Sequence, residues 1–135
     1  MKNILLYIWQ LPQHLLALII WAVLRIAGCV VAVEKFPNQI TLIGLCKLKI
    51  GLSLGRYIFL HELYSQTVFN HECGHTFQSR QYGPLYLFNV GIPSITRNIW
   101  QRLFHKSWAP AKRIDWYYGS WPENDADKRG GVERK

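Results

Sequence analysis

The segment from Phe69 to Pro84, FNHECGHTFQSRQYGP, carries the reading on which the rest of the chain depends. A helix is predicted over Gln66–Tyr82, stopped by Gly83-Pro84: the glycine allows the chain to reverse, and the proline cannot continue a helix. His71 and His75 stand four residues apart, so both imidazoles leave the same face of that helix. Two ligands of one zinc ion need this placement, each ring nitrogen lying about 2.0–2.1 Å from the metal. Glu72 falls at the edge of the face, where a carboxylate reaches a water at the metal without being a ligand itself. Cys73 points nearly opposite the histidines and reads as a small buried residue. Gly74 weakens the helix by about 1 kcal/mol relative to Ala, so another element is expected to pack closely there.

HExxH is a zinc-site motif. A catalytic zinc takes three protein ligands and keeps a fourth position open. Candidates for the third ligand are His61, His105, Glu62, Asp115, Glu123, Asp125 and Asp127. Glu123 and Asp127 stand out because they lie at i, i+4 on a short helix predicted over residues 121–129. That helix has Ser120 as its cap, Pro122 in its first turn and Gly130-Gly131 as its stop. One of the two carboxylates can ligate while the other accepts a hydrogen bond from a ligating imidazole.

Taken together, HECGH and ENDADKRGG resemble the HExGH and ExxADxxG/A motifs of the membrane-associated zinc endopeptidases, a branch of the gluzincin metallopeptidases. The resemblance covers about ten positions. It implies Zn2+ as cofactor, His71, His75 and Glu123 as ligands, Glu72 as general base, Asp127 as the residue orienting a ligand histidine, and a peptide or protein substrate. Two features depart from that family: the chain is much shorter, and Cys73 stands where an aliphatic residue is usual. The implied fold is therefore a minimal α+β zincin-like domain, with a small sheet, the motif helix and the ligand helix. Tyr117 and Tyr118, just ahead of the ligand helix, are read either as donors to a substrate carbonyl or as packing residues.

Outward from this core, the 135 residues suit one modest domain, and half of them are hydrophobic, which excludes a disordered chain. Sixteen Lys and Arg against eight Asp and Glu give a formal net charge of +8. Such a balance points to nucleic acid or to an anionic membrane surface. The basic residues are scattered and no nucleic-acid-binding motif accompanies them, so membrane lipid is the expected partner. Cys29, Cys46 and Cys73 make neither a disulfide framework nor a CxxC pair, which suits a reducing compartment.

Leu15 to Val33 is a nineteen-residue apolar run with Arg25 as its one charge. As a helix it is about 28 Å long, close to the roughly 30 Å hydrocarbon thickness. Arg25 costs about 2.5–3.5 kcal/mol there, against about 0.3–0.6 returned by each of eleven Leu, Ile and Val residues. A transmembrane helix is expected, with Trp9 and Trp21 near an interface; a buried or interfacial helix, and a lipoprotein box at Ile26–Cys29 with lipidation of Cys29, are the alternatives. The expected division is a hydrophobic segment over residues 1–35 and a zincin-like domain over 36–135. Lys35, Lys47 and Lys49 after the segment outnumber Lys2 before it, favouring a cytoplasmic domain.

Short strands are expected between residues 42 and 60, with turns near Gly51 and Gly55 and the strongest strand at Tyr57–Leu60. Glu123 must reach His71 and His75 on one side of any bilayer. The 33 residues from 84 to 116 are too few for two crossings, which need about 40, so this stretch should lie along the membrane or pack on the domain. The function expected is a membrane-associated zinc-dependent peptidase, anchored by a single crossing or peripherally; a non-catalytic metal-binding membrane protein is the rival.

Overall fold

The computed structural model describes residues 2–134. The chain is α+β, with a mixed four-stranded sheet and six α-helices among the described residues. In order these are α1 (Lys2–Trp9), α2 (Leu11–Ile26), β1 (Val30–Phe36), β2 (Ile40–Leu45), β3 (Gly51–Leu54), β4 (Tyr57–His61), α3 (Gln66–Tyr82), α4 (Ile92–Phe104), α5 (Pro110–Tyr118) and α6 (Glu123–Gly130). A 3-10 turn at Gly83–Leu85 and a π-helical turn at Leu87–Gly91 join α3 to α4.

The strand order is β1-β2-β4-β3. β2 and β4 run parallel in the middle, and β1 and β3 pair antiparallel on the outside. Alternation along the central strands splits the core into two. Ile43, Leu45, Tyr57 and Phe59 face α2 and the segment after α3, meeting Ala17, Tyr86 and Val90. Ile40, Leu42, Ile58 and Leu60 face α3, meeting Phe69. Because β2 and β4 are covered on both faces, nearly every residue in them is apolar, and each large side chain there contributes about 1.5–3 kcal/mol of burial.

The N-terminal run departs from the expected helix to Val33. α2 ends at Ile26, the chain turns at Gly28, and Val30–Phe36 forms β1. The β-branched Val30, Val31 and Val33 suit a strand as well as an apolar helix, and pairing with β2 decides the matter. Among the described residues no single helix is long and apolar enough to cross a membrane, although α1 and α2 together reach that length and composition across an 81° bend. Trp21 packs against the core cluster, and Trp9 donates its indole hydrogen to the carbonyl of Arg80. α2 is also fastened to the end of α3: Gln10 and Gln13 both donate to Ser79 Oγ, at 2.7 and 3.3 Å.

α3 matches the predicted range and is capped by Ser65, whose hydroxyl accepts from the Val68 amide. Gly55 sits in the β3–β4 turn as expected, whereas Gly51 begins β3 instead of turning the chain. The last helix starts at Glu123 with Pro122 as its cap, two residues later than a Ser120 cap would give.

Candidate metal centre

α3 and α6 lie antiparallel with their backbones in contact. A Cβ on Gly74 would fall 1.9 Å from the carbonyl oxygen of Ala126, and one on Gly130 would fall 2.0 Å from that of Asn70. Only residues without a side chain fit at these two crossing points, so the close packing expected at Gly74 is supplied by α6. Because the helices are antiparallel and both pairs have i, i+4 spacing, His71 meets Asp127 while His75 meets Glu123.

The contacts distribute the roles. His71 Nδ1 donates to Asp127 Oδ1 at 2.6 Å, and His75 Nδ1 donates to Gln78 Oε1 at 2.7 Å. The amide of Gln78 is oriented by its other end, since its nitrogen donates to the Pro122 carbonyl at 3.0 Å and to Asp125 Oδ2 at 2.8 Å. With both Nδ1 atoms acting as donors, each ring turns its Nε2 to the same oxygen, Glu123 Oε2, at 3.0 and 3.2 Å. Glu123 Oε1 is held from the other side by the hydroxyls of Ser94 and Tyr117. All of the ligand-type side chains, His71, His75 and Glu123, are buried.

This donor set fits a zinc ion. Two atoms ligating one tetrahedral zinc at 2.0–2.1 Å lie about 3.3 Å apart, close to both nitrogen–oxygen distances. Two ring nitrogens with lone pairs and a carboxylate oxygen converge on one point, which is repulsive unless a proton or a cation lies among them. Burial drives the Glu123 pKa up, but hydrogen bonds from His71 and His75 reverse this and hold it well below the usual carboxylate range. For His75, burial favours the neutral ring, but the hydrogen bond to Glu123 and the charges of Glu72 and Glu123 outweigh it, pushing the pKa up to about 9. A metal held by His75 Nε2 would take the place of a proton at that atom.

Glu72 is buried at the edge of this group. Ser53 Oγ, from β3, donates to Glu72 Oε2 at 2.7 Å and to the Glu72 backbone carbonyl at 2.9 Å. Glu72, both histidines and Glu123 line a cleft of about 710 Å³, walled by α2, β3 and α4. Tyr117 and Tyr118 also border it. The Tyr117 hydroxyl is directed to Glu123, and Tyr118 stands edge-on to His71 at 5.1 Å, under the guanidinium of Arg134.

The remaining ligand candidates lie elsewhere. His61 accepts from the Leu63 amide, His105 is stacked on Trp108, and Asp125 pairs with Arg129 as well as with Gln78. Glu62 and Asp115 are exposed. Cys73 packs beside the Ile40–Phe69 cluster and is not among the side chains that converge at the site, and burial raises its thiol to about 11.

Sequence reasoning missed Gln78, Ser53 and Ser94. Gln78 was within reach, since it lies three residues after His75 on the same helix; the two serines come from β3 and α4 and carry no local signal. Gln78→Leu is expected to lower zinc affinity by about 10–100-fold while leaving the fold intact, as for loss of a group that orients a ligand. A competition titration against a chromophoric chelator measures this, and an unchanged affinity would remove Gln78 from the site.

No family model, curated protein or solved structure matches this chain.

Proposed function

We propose that the chain is a membrane-associated zinc metallopeptidase of minimal gluzincin type, with His71, His75 and Glu123 as ligands and Glu72 as general base. The observation that carries this reading is the convergence of the two Nε2 atoms on Glu123 Oε2, with Glu72 beside them on an open cleft. A structural zinc site is closed by four protein ligands, whereas three ligands facing a cleft match the catalytic arrangement.

Zinc held there supplies Lewis-acid activation of water and of a substrate carbonyl. Glu72 moves the proton. Its Oε2 is occupied by Ser53, while Oε1 takes no hydrogen bond from the described residues and is free to accept a proton from the attacking water and return it to the leaving amine nitrogen. Asp127 and Gln78 keep the Nδ1 protons in place and so present both Nε2 lone pairs to the metal. Ser94 and Tyr117 occupy Glu123 Oε1, leaving Oε2 to ligate. A peptide is the substrate this geometry favours. β3 is an edge strand whose residues 51–54 line the cleft, so an extended backbone can add to it by hydrogen bonding.

Metal analysis of detergent-purified protein tests the reading. About one zinc per chain is expected in the parent, lost or greatly weakened in Glu123→Ala. A parent chain that stays free of zinc after zinc is added would end it.

A further inference from the structure

α2 and α4 each carry an apolar face that packs on nothing among the described residues. On α4, Ile92, Ile95, Ile99 and Leu103 recur at helical spacing, and all are more than half exposed. On α2, the buried side is formed by Gln13, His14 and Ala17, while Leu15, Ile19 and Val23 on the other side are exposed. The two faces flank one opening: Leu16 and Ile20 of α2 and Ile92 and Ile95 of α4 line the cleft that leads to Glu72.

We propose that these two faces dock the protein in the plane of an anionic lipid bilayer, with the cleft mouth turned to the membrane, so that its substrate is an apolar peptide segment taken sideways from the leaflet. The docking stands on the helix faces alone; the clause about substrate rests on the peptidase reading.

Charge selects the occupant. From Cys73 to Ile114 the chain has no Asp or Glu, yet it carries Arg80, Arg97, Arg102, Lys106, Lys112 and Arg113. Arg102 lies on the cleft wall next to the α4 stripe, and Lys49 borders the cleft from the β3 side. Exposed Trp100 and Phe104 accompany the stripe. An exposed apolar stripe with basic and aromatic residues is what binds a helix flat at an anionic interface. A second copy of this chain would bring an equally basic rim against this one, with both copies at +8. Crossing the bilayer is disfavoured by length and packing. The 13 residues of α4 span about 20 Å against a hydrocarbon core of about 30 Å, and α2 has buried polar residues fastened to α3.

The test uses the zinc-loaded full chain with phosphatidylcholine vesicles, with and without 30 per cent phosphatidylglycerol, the lipid fraction being a chosen condition of about that size. Flotation with the anionic vesicles is expected, weakening at high salt. The α4 variants Ile99→Glu and Leu103→Glu should each cut binding by about tenfold or more, while Leu63→Glu, an exposed apolar site on the β4–α3 connection, should not. Absence of flotation, equal binding by the α4 variants, or variants that change only the oligomeric state would overturn the docking. For the substrate clause, a quenched apolar peptide is compared with its palmitoylated form on the same vesicles. Faster cleavage of the anchored form supports supply from the leaflet, and equal rates overturn it. Flotation without cleavage of either peptide would leave the docking standing and end the peptidase reading instead.

Discussion

Glu72→Gln is expected to keep one zinc per chain and to lower kcat by about 10²–10⁴-fold, the usual contribution of a positioned proton-transfer group. The Glu72 carboxylate lies outside the group of atoms that converge on Glu123 Oε2, so the proposed ligands are unaffected by the change. The glutamine is nearly the same size and can still accept the Ser53 hydroxyl, which keeps α3 in place against β3. What it loses is the ability to hold a proton between water and the leaving nitrogen. Zinc analysis together with kcat and KM on a single peptide separates the possibilities. A variant that turns over at the parent's rate would show that the base lies elsewhere. A variant that loses its zinc would show that Glu72 belongs to the ligand set.

The two halves of the site were legible in the sequence because each is local. Spacing of four residues places His71 with His75 on one helix face and Glu123 with Asp127 on another, and both helices carry strong stop signals. Which carboxylate faces both histidines was not legible from spacing alone. The antiparallel register of α3 against α6 puts Asp127 at the Nδ1 of His71 and Glu123 at both Nε2 atoms. The hydroxyls that hold Glu72 and Glu123 come from β3, α4 and α5, contacts that no periodicity encodes. At the N-terminus, the end of the apolar run fits a helix or a strand equally well by composition, and hydrogen bonding to β2 makes Val30–Phe36 a strand while Leu11–Ile26 stays helical. The polar residues Gln10, Gln13 and His14 were the available warning that this end of the chain packs on the domain, since all three are buried there.

The second large effect is expected from one methyl group. Gly74→Ala raises helix propensity by about 1 kcal/mol, so in an isolated helix it would stabilise. Here the new Cβ would lie 1.9 Å from a backbone oxygen and 2.6 Å from its carbonyl carbon, both in α6. Backbone cannot rotate away as a side chain can, so α6 must move off α3. Overpacking of this kind costs about 1–3 kcal/mol or more, outweighing the gain in propensity. The larger loss falls on the metal. Ligand distances have to hold within about 0.2 Å, and a shift of α6 carries Glu123 and Asp127 away from the histidines together. Zinc affinity is therefore expected to fall by about 100-fold or more, at the upper end of what a single orienting residue controls. Gly91→Ala provides the comparison, because a Cβ there makes only ordinary contacts, with a Leu87 methyl at 3.7 Å and the Tyr86 carbonyl oxygen at 3.9 Å, and should leave zinc binding as it was. Chelator competition and thermal unfolding on the two variants distinguish a specific crossing point from a general sensitivity to added volume. If Gly74→Ala binds zinc as tightly as the parent, the contact between α3 and α6 does not set the spacing of the ligands.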